Sequence, residues 1–424
     1  MNRISKSFAV FIILILVILS LTVILATIPF GRTQSGTTVS SIIIKEDTTW
    51  TKANSPYSLT GNVLVGNEVT LTVQAGATVN LNGYYIQVDG TLQGVGSTFD
   101  RIHLNGNNQN LNHGIDFTSF SSNWNEKSRS GCIIENTVIT SIEISVNSTS
   151  PKISGNTIDG CVHSHIAGSP IVTNNNFIGG QNYQTAITGG FSSIISNNTI
   201  SSRQNIAILA FDSSVVSNNI IKGDRQKGIN AYGSTLSNNI ISDCSQWAIR
   251  ASSGSTSGTL IENNLIVDNY QGIVTSGYNN ILTSNTIANN TIGIYAYYQA
   301  TLTYNNLENN SQNQIKLDIT EKSPFNATYN WWGTIDQTTI ANSIYDSKND
   351  FNLGTVTFTP FLTAPNPQAT PNQNTPIPTP TPSTSQTPYP SPTVPELPLN
   401  VLSLLFIVLI AGALVLKNKS IIDK

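Results

Sequence analysis

Residues 194–241 read IISNNTISSRQNIAILAFDSSVVSNNIIKGDRQKGINAYGSTLSNNII, and within them the phrase Asn-x-Ile returns at the second residue of each Asn-Asn pair, at Asn198, Asn219 and Asn239. Read outward, the phrase Asn-x-apolar places ladder asparagines at Asn136, Asn156, Asn176, Asn198, Asn219, Asn239, Asn264, Asn285, Asn305 and Asn330, with gaps of 20, 20, 22, 21, 20, 25, 21, 20 and 25 residues. A second series lags the first by nine to eleven residues: Ile166, Ile187, Ile208, Ile229, Ile249, Ile273, Ile294 and Ile315. Two series held in phase identify a solenoid, in which a unit cannot bury its apolar face alone and becomes stable only against its neighbours.

The composition of the unit selects among solenoids. Helical repeats need longer units with 3.6-residue apolar periodicity, and leucine-rich repeats need several leucines per unit. These units are short and rich in Ile, Val, Thr, Ser, Asn and Gly, the vocabulary of strands and turns. Three short strands and three turns use about twenty residues, one coil of a single-stranded right-handed parallel β-helix, an all-β fold. Equivalent residues of successive coils then lie about 4.8 Å apart, so the isoleucines form an internal stack and the asparagines a column at a bend. Asn suits that bend because it tolerates left-handed backbone and its amide both donates and accepts.

The segment before the repeats has the same character, with short apolar or alternating runs over residues 59–65, 70–73, 78–81, 84–88 and 102–104 broken by Gly61, Gly66, Gly76, Gly83, Gly90 and Gly94. Taken as opening coils, they extend the solenoid over residues 39–360, roughly fifteen coils at about 21 residues each.

Residues 8–30 are almost unbrokenly apolar behind Arg3 and Lys6, which reads as a signal peptide or signal anchor over residues 1–31. Residues 364–395 are dominated by Pro, Thr, Ser and Gln, the composition of an extended stalk. An apolar segment over 396–416 and a basic tail over 417–424, with Lys417, Lys419 and Lys424, follow. The positive-inside tendency keeps both basic ends in the cytoplasm and the intervening chain outside, so the expected location is the cell surface, anchored in the membrane. Sequons at Asn147, Asn197, Asn289, Asn309 and Asn326 fit an exported chain. Cys132, Cys161 and Cys244 are too few for a disulfide framework, and their odd number leaves at least one thiol unpaired.

With 20 basic and 23 acidic residues and only 10% charged, the chain lacks the electropositive surface that nucleic-acid binding needs. Its uncharged polar surface suits contact with glycans or with neighbouring surface proteins.

The Asn-x-apolar units, the opening phrase Ala53-Asn54-Ser55-Pro56-Tyr57-Ser58-Leu59-Thr60-Gly61-Asn62-Val63 and the closing phrase Asn326-Ala327-Thr328-Tyr329-Asn330-Trp331-Trp332-Gly333 resemble right-handed parallel β-helix repeat proteins of prokaryotic, especially archaeal, cell surfaces. The chain is also similar to the broader carbohydrate-binding and sugar-hydrolase repeat group, which mixes polysaccharide-active enzymes with non-catalytic members, so the resemblance implies a fold more than an activity. Val394-Pro395-Glu396-Leu397-Pro398, with the apolar segment and basic tail after it, resembles the PEF-type C-terminal sorting signals that sortase-like enzymes process, with Leu397 where the pattern has Phe.

Candidate chemistry is sparse. Trp331 and Trp332 close the array, either as a seal over the open core or as a platform for sugar rings. Trp124, in the polar insertion 119–130, and Trp247, beside the Ala248-Ile249 step, are expected to face outward as binding residues. The position four residues after each ladder Asn reads Gly160, Gly180, Ser202, Gly223, Asp243, Asp268, Asn289 and Asn309. Asp243 and Asp268, on adjacent coils, form the one plausible acid pair for glycoside hydrolysis or lyase chemistry, and with Asn289 they offer oxygen ligands to calcium. The bland alternative is that Asp and Asn are ordinary turn residues. Asp224, Arg225 and Lys227 read as a solvated loop, or as the basic group of a lyase. Cys161, His163 and His165 alternate as metal ligands on one strand face would, or as simple burial would, with no fourth ligand nearby.

Overall fold

Like stacks on like throughout the computed structural model, which describes residues 36–106, 114–165, 167–179, 183–201, 205–223, 226–255 and 257–371. One coil illustrates the rest. Val215–Ser217, Ile220–Lys222 and Lys227–Tyr232 are three short strands on three walls, and Thr235–Ser237 begins the next coil directly on Val215–Ser217. The pairings between coils are parallel, and one wall is a 12-stranded sheet running from Thr48–Trp50 to Ala300–Thr303.

Each wall turns one apolar column inward. The isoleucine series is in register as Ile187, Ile208, Ile229, Ile249, Ile273, Ile294, Ile315 and Ile344. Ile166 falls outside the described residues, and the partner beneath Ile187 is Val162. The second wall contributes Val172, Ile195, Val216, Leu236, Ile261, Leu282 and Leu302, and the third Phe177, Ile200, Ile221, Ile241, Ile266, Ile287 and Leu307. All are essentially inaccessible to solvent. Burial of each large aliphatic or aromatic side chain contributes about 1.5–3 kcal/mol before chain entropy is subtracted.

The amide column lies inside the coil, and two of its members differ from the sequence reading. It runs Asn156, Asn175, Asn198, Asn219, Asn239, Asn264, Asn285, Asn305 and Asn330, each donating its backbone N–H to the next amide oxygen at 2.8 to 3.0 Å. Asn176 is exposed one position beyond the column, because Asn174-Asn175-Asn176 offers three frames and only Asn175 puts Phe177 in the core. Asn136 is also displaced: Thr137 holds the ladder position, donating to Asn156 Oδ1 at 2.8 Å, while Asn136 takes φ 50° in the preceding turn. The same division of labour recurs. Asn174, Asn197, Asn218, Asn238 and Asn263 carry the left-handed backbone, and the next Asn carries the internal amide. This explains the doubled asparagines, since Asn enters that region at less cost than most residues.

The solenoid has about 13 turns rather than fifteen. The coil between Thr91–Val95 and Ile133–Glu135 consumes nearly twice the usual length, because the polar excursion around Trp124 loops out of it.

At the C-terminal end Trp332 packs edge-on against Phe358 at 6.1 Å, and Ile340, from the short helix Gln337–Asn342, is buried with it. Trp332 is 3% exposed, so it seals the core. Residues 361–371 then run back along the outside: Leu362 donates to the Asn330 carbonyl, Asn366 N–H to Asn306 Oδ1 at 2.8 Å, and Asn306 Nδ2 returns a bond to the Asn366 carbonyl at 3.0 Å. Within the stretch read as a stalk, residues 364–371 therefore pack on the solenoid, and 372–395 lie outside the described residues. The hydrophobic ends, 1–31 and 396–424, also lie outside them. Among the described residues, no helix is long and apolar enough to cross a membrane.

Candidate functional site

A residue that follows an inward isoleucine on a strand must point outward. On the isoleucine wall this rule gives an outer column Asn230, Arg250, Val274, Tyr295, Lys316 and Tyr345, each in register with the next. The column mixes amide, cationic, aliphatic and aromatic side chains, with Val274 covered by its neighbours. Tyr295 meets Tyr297 with ring centroids 5.1 Å apart, and its hydroxyl donates to Asp318 Oδ2 at 2.7 Å. Lys316 Nζ lies 5.9 Å from the Tyr295 ring centre and 5.3 Å from that of Tyr345, within cation–π range. Beside this strip Gln246, Trp247, Arg250, Tyr270, Gln271 and Tyr297 line an open groove.

Electrostatics fix the protonation of the Tyr295–Asp318 pair. Burial, followed by the bond to Asp318, raises the pKa of the Tyr295 hydroxyl and keeps it a donor. For Asp318 burial works against the charge, but bonds from the Thr320 N–H, the Tyr295 hydroxyl and the Thr320 hydroxyl, with Lys316 nearby, outweigh it and keep the carboxylate ionised below its usual range. Arg250 donates its Nε–H to Ser276 Oγ at 3.1 Å.

Trp247 belongs to this groove on the outer side of the wall but is only 8% exposed, so its ring is covered rather than open. The side chain is covered by its surroundings, with Lys227 Nζ 6.0 Å from its ring centre. The accessible aromatic faces are those of Tyr270, 49% exposed, and Tyr297, 36% exposed. Trp124 is half-buried in its loop: its indole N–H donates to Glu126 Oε2 at 2.6 Å, and Lys152 Nζ lies 5.2 Å from its ring. Nothing brings Trp124 and Trp247 into one site. Trp331 donates to Glu308 Oε2 at 3.2 Å beside the cap.

Asp243 and Asp268 occupy adjacent coils, following the paired residues Ser242 and Val267. Both are exposed and both adopt left-handed backbone, at φ 60° and 58°, as do Asn289 and Asn309 at 56° and 55°. The reason is a second internal amide column one position later. Cys244 N–H donates to Asn269 Oδ1, Asn269 N–H to Asn290 Oδ1 and Asn290 N–H to Asn310 Oδ1, all at 2.9 Å. The acids therefore serve the turn that feeds this column. The signal was in the sequence, since Asn269, Asn290 and Asn310 each stand five residues after a ladder asparagine.

On the strand Thr157–Ser164 the inward Val162 separates Cys161 from His163, so both stand on the outer face, but Cys161 is covered there. Cys161 is 4% exposed and pairs in register with Glu143, whereas His163 and His165 are exposed, ring to ring at 5.6 Å. Burial, then the charge of Glu143, raises the Cys161 pKa and disfavours the thiolate that a metal would need. Cys132, Cys161 and Cys244 are all free and buried. Among the described residues, no group of three or more His, Cys, Asp or Glu converges as a metal site. Asp224 and Arg225 lie outside the described residues, and Lys227 stands in the strand Lys227–Tyr232.

Residues 187–343 match the family model described as right handed beta helix region, which includes most of the outer column and the groove. This fold, with its right-handed coil, is found in surface proteins and in polysaccharide-degrading enzymes. No curated protein matches the chain.

Proposed function

We propose that the protein is a cell-surface glycan-binding protein whose ligand lies along the outer column and groove formed by Arg250, Tyr270, Tyr295, Tyr297 and Lys316. The observation that supports this reading most is the pairing of accessible tyrosine faces, Tyr270 and Tyr297, with the amides Gln246 and Gln271 in one open groove. Aromatic faces bury the apolar face of a sugar ring while amides exchange hydrogen bonds with its hydroxyls. An open groove on a stack of coils suits a polymer rather than a small molecule enclosed in a cavity.

The setting is an export pathway and a membrane tether through residues 8–30 and 396–416, with a sortase-like enzyme acting at Pro395-Glu396-Leu397-Pro398. Neighbouring surface proteins are partners of the same exposed walls, and Asp243, Asp268 and Asn289 are the residues to which a calcium ion would bind. The test is a glycan array probed with the full chain and with a Tyr270→Ala/Tyr297→Ala variant. Binding by the wild type and its loss in the variant are expected. Equal binding by both would overturn the assignment of the groove.

A second reading, cleavage of a polysaccharide by Asp243 and Asp268, is favoured by one observation: the two acids stand on adjacent coils in the turns that lead into the groove strands Trp247–Ser252 and Gln271–Thr275. Products released from an array hit by the wild type, and absent with Asp243→Asn, would make this reading the correct one.

A further inference from the structure

We infer that the ligand of this wall is an anionic glycan, one carrying carboxylates or sulfates, laid along the solenoid axis. The inference rests on the glycan reading above and narrows it. Between Thr157 and Leu317 the described residues include four cations, Lys222, Lys227, Arg250 and Lys316. Three of them, Lys227, Arg250 and Lys316, stand on the isoleucine wall, and Lys222 stands on another. In a chain with so few charges this placement gathers three of the four described cations of that stretch on one wall, where an oxyanion can meet them.

These cations are also available. No carboxylate of the described residues lies within ion-pair distance of Lys227, Arg250 or Lys316. Lys227 and Lys316 are instead held against aromatic rings, over Trp247 and between Tyr295 and Tyr345, and of the two Lys316 has a carboxylate, Asp318, near enough to feel its charge. Arg250 commits its Nε–H to Ser276, leaving the two terminal amino groups of the guanidinium, which suit an oxyanion. The acids nearby are accounted for. Asp318 accepts bonds from the Tyr295 and Thr320 hydroxyls and the Thr320 N–H, and Asp243 and Asp268 sit on the preceding turns rather than on the strands of the wall.

The spacing gives the direction. Arg250 and Lys316 are separated by three coil steps through Val274 and Tyr295, about 14 Å at one strand spacing per step. A single charged group cannot touch both, whereas a polymer lying parallel to the axis presents successive anions to each and its ring faces to the tyrosines between.

The experiment is titration of the full chain with alginate as a polyuronate, dextran sulfate as a sulfated chain and unmodified dextran as the neutral control. Expected are binding of one or both polyanions, weakening with salt, and a loss of about tenfold or more in Arg250→Gln/Lys316→Gln with no comparable change in Lys222→Gln. Alginate alone would assign carboxylates, and dextran sulfate alone would assign sulfates. Binding of dextran as tight as that of the polyanions and unchanged in the double variant, or an equal loss in Lys222→Gln, would overturn the inference while leaving a glycan-binding protein. Failure to bind any glycan, here and on an array, would overturn the reading beneath it.

Discussion

Asn198 donates both its backbone N–H and its side-chain Nδ2 to a single acceptor, Asn219 Oδ1, each at 3.0 Å, and its Nδ2 also reaches the Val172 carbonyl at 2.9 Å. The amide thus links three coils at once. Its partner repeats the arrangement toward Asn239, so the corner of the solenoid is a continuous chain of fully buried, fully paired amides.

Asn219→Ala removes an acceptor that serves two buried donors of Asn198. A buried donor left without a partner costs about 1–3 kcal/mol, so a loss of roughly 2–4 kcal/mol is expected. Asn175→Ala should behave likewise and Asn176→Ala should be nearly silent, measured as midpoints of chemical unfolding. The reverse ranking would return the ladder to Asn176.

Asp243 and Asp268 hold left-handed backbone, which a β-branched residue enters only at a cost of about 1–2 kcal/mol and glycine enters freely. Asp243→Gly is expected to keep the wild-type melting temperature and Asp243→Val to lower it. An equal loss in both would mean that the carboxylate itself, through an ion or a partner, stabilises the turn.

His163, exposed at its edge but with part of its ring desolvated, has its pKa lowered from 6.5, first by that desolvation and then by neighbouring His165. A depressed folded value means that the unfolded chain binds the proton more readily, so this contribution to stability is present above about 6.5 and is lost as pH falls through the folded value. Unfolding midpoints measured from pH 7.5 to 5 should fall more steeply in the wild type than in His163→Gln. Parallel slopes would remove His163 as the cause.

Asn366 and Asn306 exchange two hydrogen bonds that pin the returning segment to the solenoid. Asn306→Ala is expected to speed amide hydrogen exchange in 362–369 and in the last coils beneath them, with the coils before Asn239 unchanged. Unaltered exchange in 362–369 would show that the Phe361 end alone anchors the segment.

The period was legible in the sequence because the core and the corner each demand one residue type at every coil, Ile inside and Asn at the bend. The finer frame was not. Three consecutive asparagines at 174–176 fit the phrase in more than one way, and the choice depends on Phe177 reaching the core. The outer column was hidden for a different reason: Arg250, Val274, Tyr295 and Lys316 share no residue type, and they form a column only once the inward isoleucines beside them have fixed the register. That Trp247 is covered by neighbours on the outer surface could not be read from strand alternation.

The most direct measurement is an experimental structure of the full chain with a glycan that binds it. Sugar rings over Tyr270 and Tyr297, with the polymer running from Arg250 toward Lys316, are the predicted result. Sugar density on another wall, or at Trp124, with this groove empty would contradict it.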